Sequence, residues 1–195
     1  MLTQRQTFWN AYDLVKNCSA ADEVPRLAMS STPEEWAATA RTLFDNRRYL
    51  QAVRCYERAS MPRQKDVAYA YHLRERARGT EKTRRTTDNA RTLAFIAAAE
   101  AFLKSASAAS VRRETLAYYR NAAECFVEAD DHRGAAEAYL QAEDFTRAAQ
   151  HYRRAGLFDE AVDVVQQHGR HIPENFVNTI IDVAKLHYVK ENRLE

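Results

Sequence analysis

The sequence predicts an all-α protein in which short helices stack into a right-handed α-solenoid of antiparallel helix pairs. Residues 122–160 divide into three consecutive 13-residue pieces that align almost residue for residue: AAECFVEADDHRG, AAEAYLQAEDFTR and AAQHYRRAGLFDE. Hydrophobic residues make up 46% of the 195 positions, so the chain can bury a substantial core. Only 4 Gly and 4 Pro are present, which is little material for the turns of a β-sheet protein.

The 13-residue pattern continues on both sides, with further copies at 161–173, 98–110 and 52–64. The first, second, fifth and eighth positions of a copy are apolar or small, which is the spacing of one helical face. The other positions are polar or typical of turns. Each copy therefore predicts about ten helical residues and a short connector. The residues expected to form the repeat core are Ala52, Tyr56, Ala59, Phe102, Phe126, Ala135, Tyr139, Ala142, Ala148, Tyr152 and Ala155.

A helix of ten residues is only about 15 Å long and is marginally stable alone, because nucleation is costly and few hydrogen bonds follow it. Its stability must come from burying the apolar face against other helices. Short connectors make successive helices run antiparallel, so we expect each helix to contact mainly its neighbours along the chain.

The N-terminal part contains a clear helix start at residues 32–35. Thr32 can cap the helix, Pro33 suits its first position, and Glu35 lies three residues after the cap. From Trp36 to Pro62 the large and small residues follow the 34-residue tetratricopeptide pattern, and Trp36 is expected in the core. Further helices are predicted near 4–17, 64–78, 88–107, 111–129 and 173–191.

One polar, basic stretch interrupts the helical pattern: RGTEKTRRTTD at 78–88. We interpret 79–87 as a flexible linker. It would separate an N-terminal helical block, 1–78, with one tetratricopeptide-like unit, from a C-terminal block of tandem 13-residue units, 88–195.

The charge and cysteine content favour a protein of a reducing compartment. With 29 basic and 27 acidic residues the formal net charge is +2, which gives no bulk attraction to nucleic acid or anionic lipid. Three cysteines without a CxxC pair argue against a disulfide framework. No signal sequence and no apolar run of about 18 residues is present, so we expect a cytoplasmic or nuclear protein without a membrane contact.

The sequence offers little for catalysis, and no catalytic, cofactor-binding or metal-binding residue is predicted. It contains neither a P-loop nor a dinucleotide-binding glycine motif. His168 and His171 could hold a metal, but they lack a third ligand nearby and suit a helix C-terminus. Cys125 with His132 or His151 could form a nucleophile and base, yet Cys125 lies beside the packing face, where cysteine is a small apolar filler.

Arginines are the candidates for partner binding. Those on the expected polar faces could bind acidic side chains or a C-terminal carboxylate of a partner. They are Arg120, Arg133, Arg147, Arg153 and Arg154. A second basic cluster surrounds the linker and could contact phosphates, although Glu75 and Glu81 interrupt it. It comprises Arg74, Arg76, Arg78, Lys82, Arg84 and Arg85.

Most of the chain resembles the helical-repeat segment of large fungal proteins that join tetratricopeptide-like repeats to a UvrD-type superfamily 1 helicase region. Their animal counterparts are similar to the tetratricopeptide and ankyrin repeat-containing protein. The resemblance lies in STPEEWAATARTLFDNRRYLQAVRCYERA, VAYAYHLRERAR and AAEAYLQAEDFTRAAQHYRRAGLFDEAVDVV. It implies an ATP-dependent helicase region in a parent polypeptide. That region would lie outside this sequence, because none of the helicase motor motifs occurs here. The absence of a polar capping helix before Glu195 suggests a fragment.

These observations favour a non-enzymatic scaffold that binds a protein segment or another domain of its parent chain. The alternatives are a nucleic-acid-binding accessory module of a helicase, and a metal enzyme or hydrolase built from His and Asp residues.

Overall fold

A computed structural model describes residues 31–79 and 87–190, and every regular element within these residues is helical, without a strand. The predicted helix near 4–17 and most of the predicted linker lie outside the described residues. The helices are α1 (Pro33–Asp45), α2 (Tyr49–Arg58), α3 (Pro62–Gly79), α4 (Thr87–Ala108), α5 (Arg112–Glu128), α6 (His132–Gln141), α7 (Phe145–Arg154), α8 (Phe158–His168), a 3₁₀ turn (Gly169–His171) and α9 (Glu174–Lys190).

The predicted all-α class is thus confirmed, and the helices begin and end close to the expected positions. The chain divides into two compact units, Met1–Tyr69 and Ala70–Glu195. The block boundary at 79–87 stays a prediction. Among the described residues, no helix is both long and apolar enough to cross a membrane.

The predicted capping box starts α1. The backbone N–H of Glu35 donates to Thr32 Oγ1 at 3.3 Å, and the backbone N–H of Thr32 donates to Glu35 Oε2 at 2.9 Å. Pro33 follows the cap at the first helical turn, where its missing N–H costs nothing. Trp36, which directly follows Glu35, is buried, and the guanidinium of Arg58 lies 4.6 Å from its ring centroid. The local sequence therefore fixes the helix start and turns Trp36 into the core.

The core of the first unit lies mainly between α1 and α2, and small residues let the two helices approach. It consists of Trp36, Ala37, Ala40, Leu43, Ala52, Val53, Cys55, Tyr56, Ala59 and Ala68. Four of the ten are predicted core residues.

In the second unit each helix from α4 to α9 packs on the next along the chain, and α9 also contacts α7. This is the neighbour-to-neighbour packing that short connectors predict. Alanines fill the sites of closest approach and aromatic rings fill the gaps between them. The predicted core residues Phe102, Phe126, Ala135, Tyr139, Ala142, Ala148 and Tyr152 are all buried.

Within 31–79 and 87–190, the same left-handed turn ends five helices. Residues with positive φ follow α1, α2, α5, α6 and α7, and they are Arg47, Ser60, Asp130, Glu143 and Gly156. In each turn the following N–H donates to the carbonyl five residues back, which is the hydrogen bond of a Schellman motif. The acceptors are Leu43, Tyr56, Phe126, Tyr139 and Tyr152, so in every case but the first the aromatic of the fifth repeat position accepts it.

Two parts of the predicted pattern differ from the structure. Ala155, assigned to the repeat core, is exposed. The turn that contains Ala155 is the last of the left-handed series, because Gly169, where the next one would fall, has φ −54° and starts a 3₁₀ turn. The copy at 98–110 lacks the turn as well, since Ala106 lies inside α4, which continues to Ala108. The regular repeat is therefore shorter than the sequence pattern.

Candidate partner-binding site

The second unit holds all five predicted binding arginines, and two of them are engaged within the fold. Arg133 Nε lies 3.0 Å from Glu137 Oε1 on the same face of α6. Arg147 Nε lies 3.5 Å from Asp144 Oδ2, and its guanidinium lies 5.5 Å from the centroid of the Tyr139 ring. Exposed pairs of this kind add little stability, so a ligand carboxylate could displace them at small cost.

The other three arginines differ in exposure. Arg120 and Arg154 are exposed, and Arg153 is half-buried. Within 31–79 and 87–190, none of the three makes an ion pair or a side-chain hydrogen bond. The structure does not join the five arginines through any described contact, so they do not form a single preassembled cluster.

In the described part of the second unit, two grooves lie between helices, and neither was predicted from the sequence. The first, of about 270 Å³, is formed by α3, α4, α5 and α6, and we call it the Arg74 groove. Its lining combines two arginines, two glutamates and an apolar floor. The lining residues are Arg74, Arg78, Phe95, Glu124, Cys125, Val127, Glu128 and Tyr139.

Arg74 is the best-held polar side chain of this groove. Its Nη1 donates to Asn121 Oδ1 at 2.8 Å and lies 3.9 Å from Glu124 Oε2. The guanidinium also faces the rings of Tyr71 and Phe102, at 4.8 and 5.5 Å from their centroids. Its buried Nε has no hydrogen-bond partner among the described residues. Arg74 is therefore a cation held in place, whose buried Nε–H lacks an acceptor among the described residues.

The second groove, of about 360 Å³, is more apolar and lies among α4, α5, α6 and α7. We call it the Gly134 groove. Gly134 keeps its wall open, because a Cβ there would stand 2.7 Å from Asp131 Oδ2 and 3.0 Å from Phe126 Cδ1. Glu137, the ion-pair partner of Arg133, lies on its edge. The remaining lining residues are Leu103, Phe126, Ala138, Leu140, Gln141 and Tyr152.

The Cys125 thiol lies in the Arg74 groove but is poorly suited to act as a nucleophile. Burial raises its pKa to about 12, against smaller opposing effects of Arg74 and Arg78. The reactive form of cysteine is the thiolate, and it is rare at neutral pH when the pKa is so high. The filler interpretation of this cysteine fits its surroundings.

The histidines considered as metal ligands make aromatic contacts. The ring of His168 stacks on Phe145 with centroids 3.8 Å apart, and the ring of His171 lies 5.8 Å from the same phenyl ring. Within the part of the chain that the structure describes, no three His, Cys, Asp or Glu side chains are grouped so as to hold a metal ion.

Comparisons with known proteins identify no relative: no family model matches the sequence, and no curated protein and no solved structure matches it.

Proposed function

We propose that this chain is a non-enzymatic scaffold, a right-handed tetratricopeptide-like α-solenoid of antiparallel helix pairs that binds a protein segment or another domain of its parent chain. Five turns of one design and consecutive packing from α4 to α9 support this architecture. Stacked short helices leave grooves between them, and proteins of this kind use such grooves to hold extended or helical segments.

The observation that carries the proposal is that Arg120, Arg153 and Arg154 have no acidic partner among the described residues. Other arginines of the same unit are paired, as are Arg74 with Glu124 and Arg91 with Glu128. Guanidinium groups form their strongest hydrogen bonds with carboxylates. The three arginines therefore suit a partner that is acidic or that presents its C-terminal carboxylate.

Direct binding of labelled peptides tests this proposal. Fluorescence anisotropy would be measured with Asp/Glu-rich peptides that end in a free carboxylate, and with the same peptides amidated. We expect the double variant Arg153→Glu/Arg154→Glu to bind at least about tenfold more weakly, since losing one charge-assisted hydrogen bond costs about 1.5–3 kcal/mol. Arg170→Glu is the matched control, since Arg170 is exposed in the same unit but is not a candidate. Equal binding by both variants would remove Arg153 and Arg154 from the site.

The alternative function is a nucleic-acid-binding accessory module, and the arginines near the predicted linker motivate it. The described members of that cluster are partly engaged, because Arg74 is held by Asn121 and Arg78 Nη1 lies 3.0 Å from Glu75 Oε1. Lys82, Arg84 and Arg85 lie outside the described residues. Titration with labelled single-stranded DNA and RNA at two salt concentrations tests this alternative. A dissociation constant above about 100 μM would reject it, because such binding is weaker than ordinary non-specific binding.

From the resemblance to helical-repeat segments of UvrD-type helicase proteins, we further propose that this scaffold is part of a larger polypeptide. In that proposal the ATP-dependent helicase region lies elsewhere in a parent polypeptide of the cytoplasm or nucleus. The present chain is then an appended domain that contacts the helicase region or recruits a partner protein. Co-purification of this domain with a separately expressed helicase region, lost in Arg153→Glu/Arg154→Glu, would support the interdomain version.

A further inference from the structure

Two imidazoles face each other across the seam between α6 and α7. His132 is the first residue of α6, and His151 lies in the last turn of α7. Their Nδ1 atoms are 3.3 Å apart, and the ring centroids are 5.2 Å apart. His151 is only 6% exposed, so water does not replace this contact.

The charged surroundings of the pair are unequal. Asp130 Oδ1 lies 3.5 Å from His132 Nε2, on the side of that ring away from His151. His151 stacks on the Tyr139 ring of α6, with centroids 5.5 Å apart, and the charges that act on it are those of His132, Arg154 and Arg147. Among the described residues, α8 and α9, which also pack against α7, add no charged group to this set.

The facing Nδ1 atoms can share one proton but cannot accommodate two. A neutral imidazole has one donor nitrogen and one acceptor nitrogen, whereas an imidazolium has two donors. With both rings neutral, His151 Nδ1–H can donate to His132 Nδ1 while His132 Nε2–H points at Asp130. With one added proton the contact survives, because the protonated ring donates its Nδ1–H and the neutral ring, carrying its hydrogen on Nε2, accepts at Nδ1. With a second proton, both Nδ1 atoms carry hydrogen, and two N–H groups are in contact without an acceptor.

We propose that His132 and His151 form a one-proton lock on the seam between α6 and α7, and that the seam loosens when both rings become protonated. The doubly protonated state places two cations next to each other in a site that Arg154 and Arg147 already make positive. It also leaves a buried donor unsatisfied, which is costly. The lock belongs to the fold itself and does not depend on which partner the chain binds.

The direction of the pH effect follows from the position of His151. Burial, and then the neighbouring His132, Arg154 and Arg147, lower the pKa of His151 from 6.5 to about 4. Because the folded state binds this proton less tightly than the unfolded chain, the stabilisation is complete above pH 6.5 and is lost as the pH falls towards 4. At pH 5 the opening constant of the seam should be about 30-fold larger than at pH 7.5, by proton linkage.

Hydrogen exchange of the full chain measures this opening. Exchange in peptides from α6 and α7 would be compared with peptides from α4 at pH 7.5, 6 and 5, after correction for the intrinsic exchange rates. In the wild type we expect α6 and α7 to lose protection selectively as the pH falls. His151→Gln, which cannot titrate, should show a much smaller pH response. The control His168→Gln, whose ring faces Phe145 and not an imidazole, should respond like the wild type.

A second measurement distinguishes the titration of His151 from a general loss of packing caused by the substitutions. Titration of the imidazole resonances in the folded wild type should place His151 well below the ordinary histidine pKa, and His132→Gln should move it upward by removing the facing cation. The lock is refuted if His151 titrates near 6.5 in the folded protein. It is equally refuted if the pH response of α6 and α7 is unchanged in both His151→Gln and His132→Gln.

Discussion

The backbone N–H of Asp144 donates to the carbonyl of Tyr139 at 2.9 Å, across a turn in which Glu143 has φ 57°. The bond ends α6, and Asp144 then caps α7, since its Oδ1 accepts from the N–H of Arg147 at 3.2 Å. Asp131 does the same between α5 and α6, where its carboxylate accepts from Gly134 N–H at 2.9 Å. One connector of three residues thus closes one helix and starts the next.

The left-handed turn gives a prediction about glycine. Gly156 has φ 75°, whereas Gly169 has φ −54°, and an added Cβ would meet no atom within 4 Å at either position. Gly156→Ala should therefore lower the free energy of unfolding by about 1–2 kcal/mol, because an L-residue is strained in the left-handed region. Gly169→Ala should be neutral or slightly stabilising. Chemical denaturation followed by circular dichroism checks this, and equal effects at the two positions would contradict it.

The cap at Asp144 gives a second prediction. Asp144→Ala should lower the free energy of unfolding by about 1 kcal/mol, because the amide of Arg147 loses its acceptor. Asp144→Asn should retain most of the stability, since an asparagine oxygen caps nearly as well. Thermal denaturation distinguishes the two variants. If Asp144→Asn lowered the stability as much as Asp144→Ala, the ion pair with Arg147, and not the cap, would be the important contribution of Asp144.

Arg74 should matter for stability far more than its neighbour Arg78. Arg74→Ala removes a largely buried guanidinium that Asn121 and two rings hold, and it should cost about 2 kcal/mol. Arg74→Lys should not restore the loss, because an ammonium cannot reproduce the planar stacking. Arg78→Ala, at an exposed surface pair, should cost less than about 0.5 kcal/mol. Equal losses in urea denaturation would show that the Arg74 contacts are not specific.

The buried thiol makes stability depend on high pH. Burial holds the pKa of Cys125 near 12, above its ordinary value of 9, so the folded state keeps the proton more firmly than the unfolded chain. Its contribution is therefore complete below pH 9 and is lost as the pH rises towards 12. Cys125→Ser should weaken this alkaline loss. At pH 7.5, thiol labelling of Cys125 should be slow, and should accelerate in denaturant, in a variant whose other two cysteines, Cys18 and Cys55, are replaced by Ser and Ala. Rapid labelling of this variant in its folded state would show that Cys125 is accessible.

The sequence was most informative where local patterns decide the structure. The capping box at Thr32 and the aromatic spacing through Phe126, Tyr139 and Tyr152 depend on residues close together in the chain, and both predictions are confirmed. The repeated turn was harder to see, because only Gly156 of its five left-handed positions is a glycine. Hydrogen bonding to the preceding helix holds Ser60 and Asp130 in that conformation despite their side chains.

The candidate site was less predictable because it depends on contacts between distant residues. Arg74 meets Asn121 across 47 positions, and no local pattern marks either residue as a pair. The facing of His132 and His151 likewise follows from how α6 and α7 pack. Spacing alone also could not reveal that Ala106 continues a helix, while its counterparts Ser60, Asp130, Glu143 and Gly156 lie in left-handed turns.

The most direct test of the central claim, that the short helices hold each other up, is circular dichroism of an isolated peptide spanning residues 131–157. This peptide contains α6, α7, both aspartate caps and both closing turns. We expect this peptide to be largely unfolded in water at 25 °C, because two ten-residue helices without neighbours are too short to persist, and the same residues to be helical and protected in the full chain. A peptide that is fully helical alone, independently of its concentration, would contradict the claim.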